Sequence, residues 1–259
     1  MSTLAQTVAS YLPLLVAGDV DELVGLLDPD ATVDEPMSGS ASGPSLREML
    51  TDRSVWLRAR GASVLPVRST STGVRAIDES LVHLEAAADG PSAAVDVPFA
   101  VVGEPGASAR LAGIRVYHST WPLTAGHQVR PPLLPGDPAV ELSDFVRDYH
   151  RALGAGDLAG IMAAFAPDGC AREPAGGEYV YCGVEALRAF YSMLFGNGGG
   201  IHLIHCTATD DGIACALEYT ADQWGRTVMP PQAGVAVYER GSGGRLAWAR
   251  IYDDVRPPI

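Results

Sequence analysis

Apolar positions along this chain follow two periods, and the same order of periods runs twice. Leu4, Val8, Tyr11, Leu12 and Leu15 are spaced for one face of a helix, and so are Leu142, Phe145, Val146, Tyr149 and Leu153. Pro13 lacks a backbone donor and should kink the first of these helices or restrict it to a short segment. Gly18-Asp19 and Gly156-Asp157 then stop one helix and cap the next, with Asp19 and Glu22 in a capping pattern. A turn, a short strand and another helix follow in each half, the helices over 45–59 and 184–195. The rest of each half alternates with the period of strands; in the second half these span 201–209, 212–224, 228–239 and 245–253.

The doubling extends to the residues themselves. A shift of 138 places Val8 on Val146, Tyr11 on Tyr149, Pro29-Asp30 on Pro167-Asp168 and Glu35-Pro36 on Glu173-Pro174. Near the ends, "RLAGIRVYHS" (110–119) matches "RLAWARIYDD" (245–254). Two copies of one domain are therefore expected, over 1–121 and 139–259, joined by the proline-rich linker 122–138. Helices first and strands after imply an α+β fold, with helices covering one face of a curved antiparallel sheet.

Composition narrows the function. The 259 residues are 47% hydrophobic and 19% charged, as in a packed globular protein. A net charge of −13 argues against binding nucleic acid or an anionic membrane surface. The start lacks the basic segment of a secretory signal, and no apolar run is long enough to span a bilayer, so a cytoplasmic protein is expected. Cys170, Cys182, Cys206 and Cys215 form no CxxC pair and are expected to be reduced and mostly buried.

The stretch "YHRALGAGDLAGIMAAFAPDGCAREPAGGEYVYCGVEALRAFY" (149–191) carries a resemblance. It is similar to the cone-shaped fold shared by nuclear transport factor 2, ketosteroid isomerase and the SnoaL-type polyketide cyclases. The resemblance covers both halves and implies two tandem NTF2-like domains. In ketosteroid isomerase a first-helix tyrosine precedes a catalytic aspartate that stands just before a proline. Tyr149 and Glu173 match those positions, and Tyr11 and Glu35 match them in the first copy. The family's protonated aspartate on a later strand falls near Gly234 and Pro98, leaving Gln232 and Asp96 as the nearest polar neighbours. Two fused copies also resemble the polyether-forming epoxide hydrolases, which use a pair of acids across the cavity.

Alternation gives the candidates a physical reading. Ala31, Val33 and Glu35 share a strand face, as do Ala171 and Glu173, so both glutamates follow the apolar side. A carboxylate there becomes a base or acid near neutral pH, and a tyrosine can donate to a developing oxyanion. His202 and His205 lie on opposite strand faces and do not suit one metal ion; His202 alone could face the cavity. Trp248 and Phe190 are candidate substrate contacts, Trp248 sharing a face with Arg250 and Tyr252. The second copy, with Tyr149, Glu173, His202 and Gln232, is the more polar and is expected to be the catalytic one.

The expected function is isomerisation or ring closure of an apolar polyketide, terpenoid or steroid-like molecule in natural-product biosynthesis, without cofactor or metal. Epoxide opening is one alternative. A non-catalytic binding or scaffolding protein, its pocket plugged by aromatic side chains, is another. Fusion of the copies suggests a pseudo-dimer within one chain, or a homodimer of such chains.

Overall fold

A computed structural model describes residues 3–86, 93–108 and 110–257. The chain divides into two units, 1–126 and 127–259. In unit 1, helices α1 (Leu4–Ala9), α2 (Tyr11–Ala17) and α3 (Val20–Gly25) lead into strands β1 (Leu27–Glu35) and β2 (Gly39–Ser42). Helix α4 (Gly43–Ala59), strands β3 (Ser63–Ser71), β4 (Ala76–Leu84), β5 (Val95–Pro105) and β6 (Leu111–Tyr117), and the short helix α5 (Trp121–Thr124) follow. Unit 2 repeats the order with α6 (Asp144–Ala155), α7 (Leu158–Ala164), β7 (Phe165–Arg172), β8 (Val180–Cys182) and α8 (Gly183–Leu194). It ends on β9 (Ile201–Asp210), β10 (Ala214–Trp224), β11 (Thr227–Arg240) and β12 (Leu246–Tyr252).

The sheet orders are β2-β1-β6-β5-β4-β3 and β8-β7-β12-β11-β10-β9, the same path traced twice. Each sheet is mixed rather than wholly antiparallel, because β1 pairs with β6, and β7 with β12, in parallel. The first helix breaks at Ser10, and Pro13 falls in the opening turn of α2, where its missing N–H removes no helical bond. Without a proline, α6 runs unbroken through the equivalent stretch. Asp157 caps α7 by accepting from Gly160 N (3.0 Å), but Asp19 makes no such bond, contrary to its sequence pattern.

Helices pack on one side of each sheet. Val8, Tyr11, Leu12 and Leu15 join Val33, Val101 and Ile114 in the core of unit 1. Phe145, Tyr149, Leu153, Leu187, Phe190 and Tyr191 meet Leu217, Tyr219, Tyr238 and Ala249 in unit 2. Two matched positions differ in size. Val33 and Ile114 are register partners in unit 1, and their counterparts Ala171 and Ala249 are partners in unit 2. Several methyl groups are thereby missing from the centre of the second core, and a cavity opens there.

Residues 127–138, read as linker, lie along the sheet of unit 2. Ala233 N donates to Arg130 O (2.8 Å), and Asp137 N to His205 O (2.8 Å). The cysteine expectation needs a larger correction. Cys170 and Cys182 face each other across β7 and β8 and are joined in a disulfide; Cys206 and Cys215 are buried in unit 2. Their spacing hid the pair, because the intervening residues form the β7–β8 hairpin. No helix among the described residues is long and apolar enough to cross a membrane.

Candidate active site

The cavity of unit 2 has a volume of about 630 Å³ and is lined from α6, α8, β7 and β9 to β12. That is the size of a small-molecule site, and its walls are mostly aromatic and aliphatic. Phe190, Tyr191 and Trp224 form wall and do not plug it. Alternation explains what points inward. Ile201 and Leu203 of β9, and Ala249 and Ile251 of β12, turn to the cavity.

Two carboxyl groups enter this apolar space. Glu173 follows β7, continues the inward face of Ala171, and is held in place by its N–H donating to Tyr179 O (3.0 Å). Asp253 follows β12 and continues the inward face of Ala249 and Ile251. The Tyr219 hydroxyl donates to Asp253 Oδ2 (2.9 Å), while Oδ1 is buried without a partner. Burial, and then the charge of Asp253, raise the Glu173 carboxyl to about 8. Burial likewise raises Asp253, to about 7, against the opposing pull of its bond from Tyr219. Among the described residues no hydrogen bond holds the Glu173 carboxylate, so the proton belongs on Glu173 and the negative charge on Asp253.

Hydroxyl groups complete the site. Tyr149 and Tyr191 hydroxyls lie 2.8 Å apart, and burial pushes both phenols up, so both stay protonated donors. The Tyr238 hydroxyl meets His150 Nε2 at 2.9 Å, and His150 Nδ1 meets His205 Nε2 at 3.2 Å. Burial lowers His150 to about 3, which keeps that imidazole neutral and able to donate through one nitrogen while accepting through the other. Gly234 has a steric role. A Cβ there would stand 2.6 Å from the Tyr219 ring, so glycine lets the ring lie across β11 and reach Asp253.

Unit 1 treats its matched glutamate differently. Glu35 is 3% exposed and accepts from Met37 N (2.9 Å) and Ser38 N (2.8 Å). Arg53 stands 3.2 Å away, and His118, stacked on Phe99, 3.3 Å away. Burial alone would raise this carboxyl, but the His118 hydrogen bond and the Arg53 charge overrule it and bring it down to about 2. Glu35 is thus a fixed anion inside a closed core.

Residues 146–249 match the sequence profile of the SnoaL-like domain. The match falls within unit 2. Unit 1 traces the same sheet path, so the chain holds two tandem NTF2-like units. Solved structures resembling the chain include a candidate polyketide cyclase from Sinorhizobium meliloti (21% identity, 42% of this chain and 94% of that one, TM-score 0.36). A second candidate polyketide cyclase, from Xanthomonas campestris pv. campestris, is 16% identical over 48% of this chain and 98% of its own (TM-score 0.38). The epoxide hydrolase/cyclase-like enzyme SalBIII, of pyran ring formation in the polyether salinomycin, is 18% identical over 43% and 86% (TM-score 0.36). No curated protein matches the chain.

The cavity of unit 2 collects Glu173, Tyr149, Phe190 and Gln232 from the sequence candidates. Glu35 and Tyr11 sit together in the core of unit 1. Three candidates lie elsewhere. His202 is 60% exposed and pairs with Asp222 (2.6 Å), because Ile201 and Leu203 take the inward places on β9. Asp96 is 59% exposed and pairs with His83 (2.7 Å) across β5 and β4. Trp248 turns away from the cavity, beside the Arg250 guanidinium, because Ala249 faces in. Sequence reasoning missed Asp253, Tyr191, Tyr219 and Tyr238. The matched "RVYHS" and "RIYDD" ends held a signal for the first, since His118 and Asp253 are equivalent and each approaches its unit's glutamate. No group of three or more metal-ligating side chains occurs among the described residues.

Proposed function

We propose that unit 2 is an acid–base catalyst, working without cofactor, for isomerisation or ring closure of an apolar polyketide, terpenoid or steroid-like molecule. The observation that carries this reading is the pair Glu173 and Asp253, both raised towards neutrality in one apolar cavity. Asp253 in its charged form takes a proton from the substrate. Protonated Glu173 donates to the oxygen or carbon where negative charge develops. The Tyr149–Tyr191 pair supplies further hydroxyl donors, and Phe190 and Gln232 shape and orient the bound molecule. Unit 1, with its glutamate held as a buried anion paired to Arg53 and His118, serves as the non-catalytic copy.

The test is turnover, on a substrate found by screening apolar polyketides and terpenoids, by Glu173→Gln, Asp253→Asn and the double variant. Each single change should lower kcat by about 10²–10⁴-fold, and the double change by little more, because the two act as a unit. Unchanged turnover in the double variant sinks the proposal.

Epoxide opening is a second reading, and the second acid favours it. Glu173 would protonate the epoxide oxygen while Asp253 deprotonates the attacking hydroxyl or water. Supplying the epoxide and the matching enone in parallel separates the two readings. Pairing of the units as a pseudo-dimer, or of chains as a homodimer, belongs to the same proposal; the first is read from cross-links between the units of a monomeric chain, the second from mass in solution. The disulfide supports an oxidising environment over the expected cytoplasm, which cell fractionation decides.

A further inference from the structure

The disulfide sits at a telling place. It joins Cys170 of β7 to Cys182 of β8, register partners at the base of the hairpin that carries Glu173. The closed loop holds both inward residues of this edge, Ala171 and Glu173. It also holds Tyr181, stacked on the cavity residue Phe190 with ring centroids 4.3 Å apart. The hairpin tip is packed at Pro174, Ala175 and Gly176, and it turns on two glycines, Gly176 and Gly177, that both take left-handed φ, 63° and 56°. Short backbone bonds at Glu173, Gly176 and Tyr179 close the turn, and no side chain among the described residues bonds the Glu173 carboxyl.

Unit 1 provides an internal comparison. The matching register pair there is Thr32 opposite Ser42, so that hairpin has no cross-link. Its glutamate needs none, being gripped by Arg53, His118 and two backbone N–H groups. The copy whose carboxyl is gripped lacks the disulfide, and the copy whose carboxyl is left free to exchange a proton has it.

We propose that Cys170 and Cys182 are positioning residues for Glu173, their disulfide holding its carboxyl inside the apolar cavity, and that reducing the bond releases the hairpin and lets the carboxyl become hydrated. The inference rests on the acid–base reading of unit 2. Cys170 is 7% exposed, but Cys182 is on the surface and open to a reductant. A phosphine reductant supplies two electrons, becoming a phosphine oxide with oxygen from water, and the disulfide takes up two protons to give two thiols. Charged and titratable groups around Glu173 are Asp253 after β12, His127 and Arg256 of the same cavity, and the tyrosines 149, 181, 191 and 219. All but Tyr181 lie outside the closed loop and stay in place on reduction.

The experiment is a ¹³C-glutamate NMR titration of the full chain, oxidised and after phosphine reduction, with Glu173→Gln assigning the signal. The Cys170→Thr/Cys182→Ser variant, which installs the pair found in unit 1, is titrated alongside. Reduction and the double variant should each lower the Glu173 midpoint by about one unit or more, towards an ordinary glutamate. A bond that merely stabilises the fold would lower the thermal midpoint and leave the Glu173 titration where it was, and that result overturns the proposal. So does finding four free thiols in the denatured, unreduced protein. A Glu173 midpoint at the ordinary value in the oxidised form sinks the acid–base reading instead, so the two failures are distinguishable.

Discussion

What a buried carboxyl does depends on what stands beside it, and Glu35 and Glu173 are the same residue with opposite neighbours. Arg53 and His118 keep Glu35 charged; Asp253 and an apolar wall keep Glu173 protonated. Replacing Asp253 with Asn removes the like charge, so the Glu173 midpoint should fall by NMR titration while remaining above an ordinary glutamate because burial persists. A rise, or no change, would mean the two carboxyls do not sense each other. The proposed acid–base mechanism needs Asp253 charged and Glu173 protonated. The kcat/KM profile should therefore be bell-shaped, its limbs reporting the pair jointly at about 7 and about 8. Activity that is flat between about pH 6 and 9 would contradict that assignment. Glu35→Gln belongs to stability. It leaves Arg53 buried without its counter-charge and should cost unit 1 about 3–5 kcal/mol in denaturant unfolding, with the cavity of unit 2 unaltered.

At the scale of strands, the site depends on which side of each strand faces the helices. Alternation states which residues share a face and not which face is inner, and this is why the strand pattern pointed to the cavity for Glu173 but could not decide for His202, which is exposed. Ala171 marked the apolar side for Glu173. In "IHLIHCT" both faces carry apolar residues, and only packing against the helices shows that Ile201 and Leu203 take the inner one. Asp253 was harder still, standing at the very end of the expected strand 245–253 in an Asp-Asp pair, with no matching carboxylate in the first copy, where His118 takes its place. The fold itself was legible because the repeat doubles every signal. The cavity was legible only in hindsight, as Val33 and Ile114 becoming Ala171 and Ala249. Gly234 gives the strand-level test. Gly234→Ala forces a Cβ against the Tyr219 ring and should swing its hydroxyl off Asp253. The Asp253 midpoint should then rise, with a loss of about 1–3 kcal/mol in stability from overpacking. An unmoved Asp253 titration would show that Tyr219 does not tune the acid.

Across the whole molecule, the two units should answer pH differently, and the neutral range separates them. Glu173 and Asp253 have folded values near 8 and 7, far above their ordinary ones, so the folded unit 2 binds protons that the unfolded chain has already released. Their stabilisation is complete at low pH and is lost as pH rises through those folded values. His150 runs the other way: its folded value is lowered to about 3, so its effect lies below the ordinary histidine range and is over by neutrality. In unit 1 Glu35 acts only in acid, down to about 2, and Asp78, raised to about 6 by burial, has finished titrating by then. Between about pH 6.5 and 8.5 only unit 2 should lose stability. Hydrogen exchange read by mass spectrometry, corrected for intrinsic rates, should show falling protection in β7, β10 and β12 while β1, β5 and β6 hold steady. The Glu173→Gln/Asp253→Asn variant should flatten the response of unit 2. Equal losses in both units, or a slope that survives the double variant, would place the neutral-pH titration elsewhere than in this acid pair.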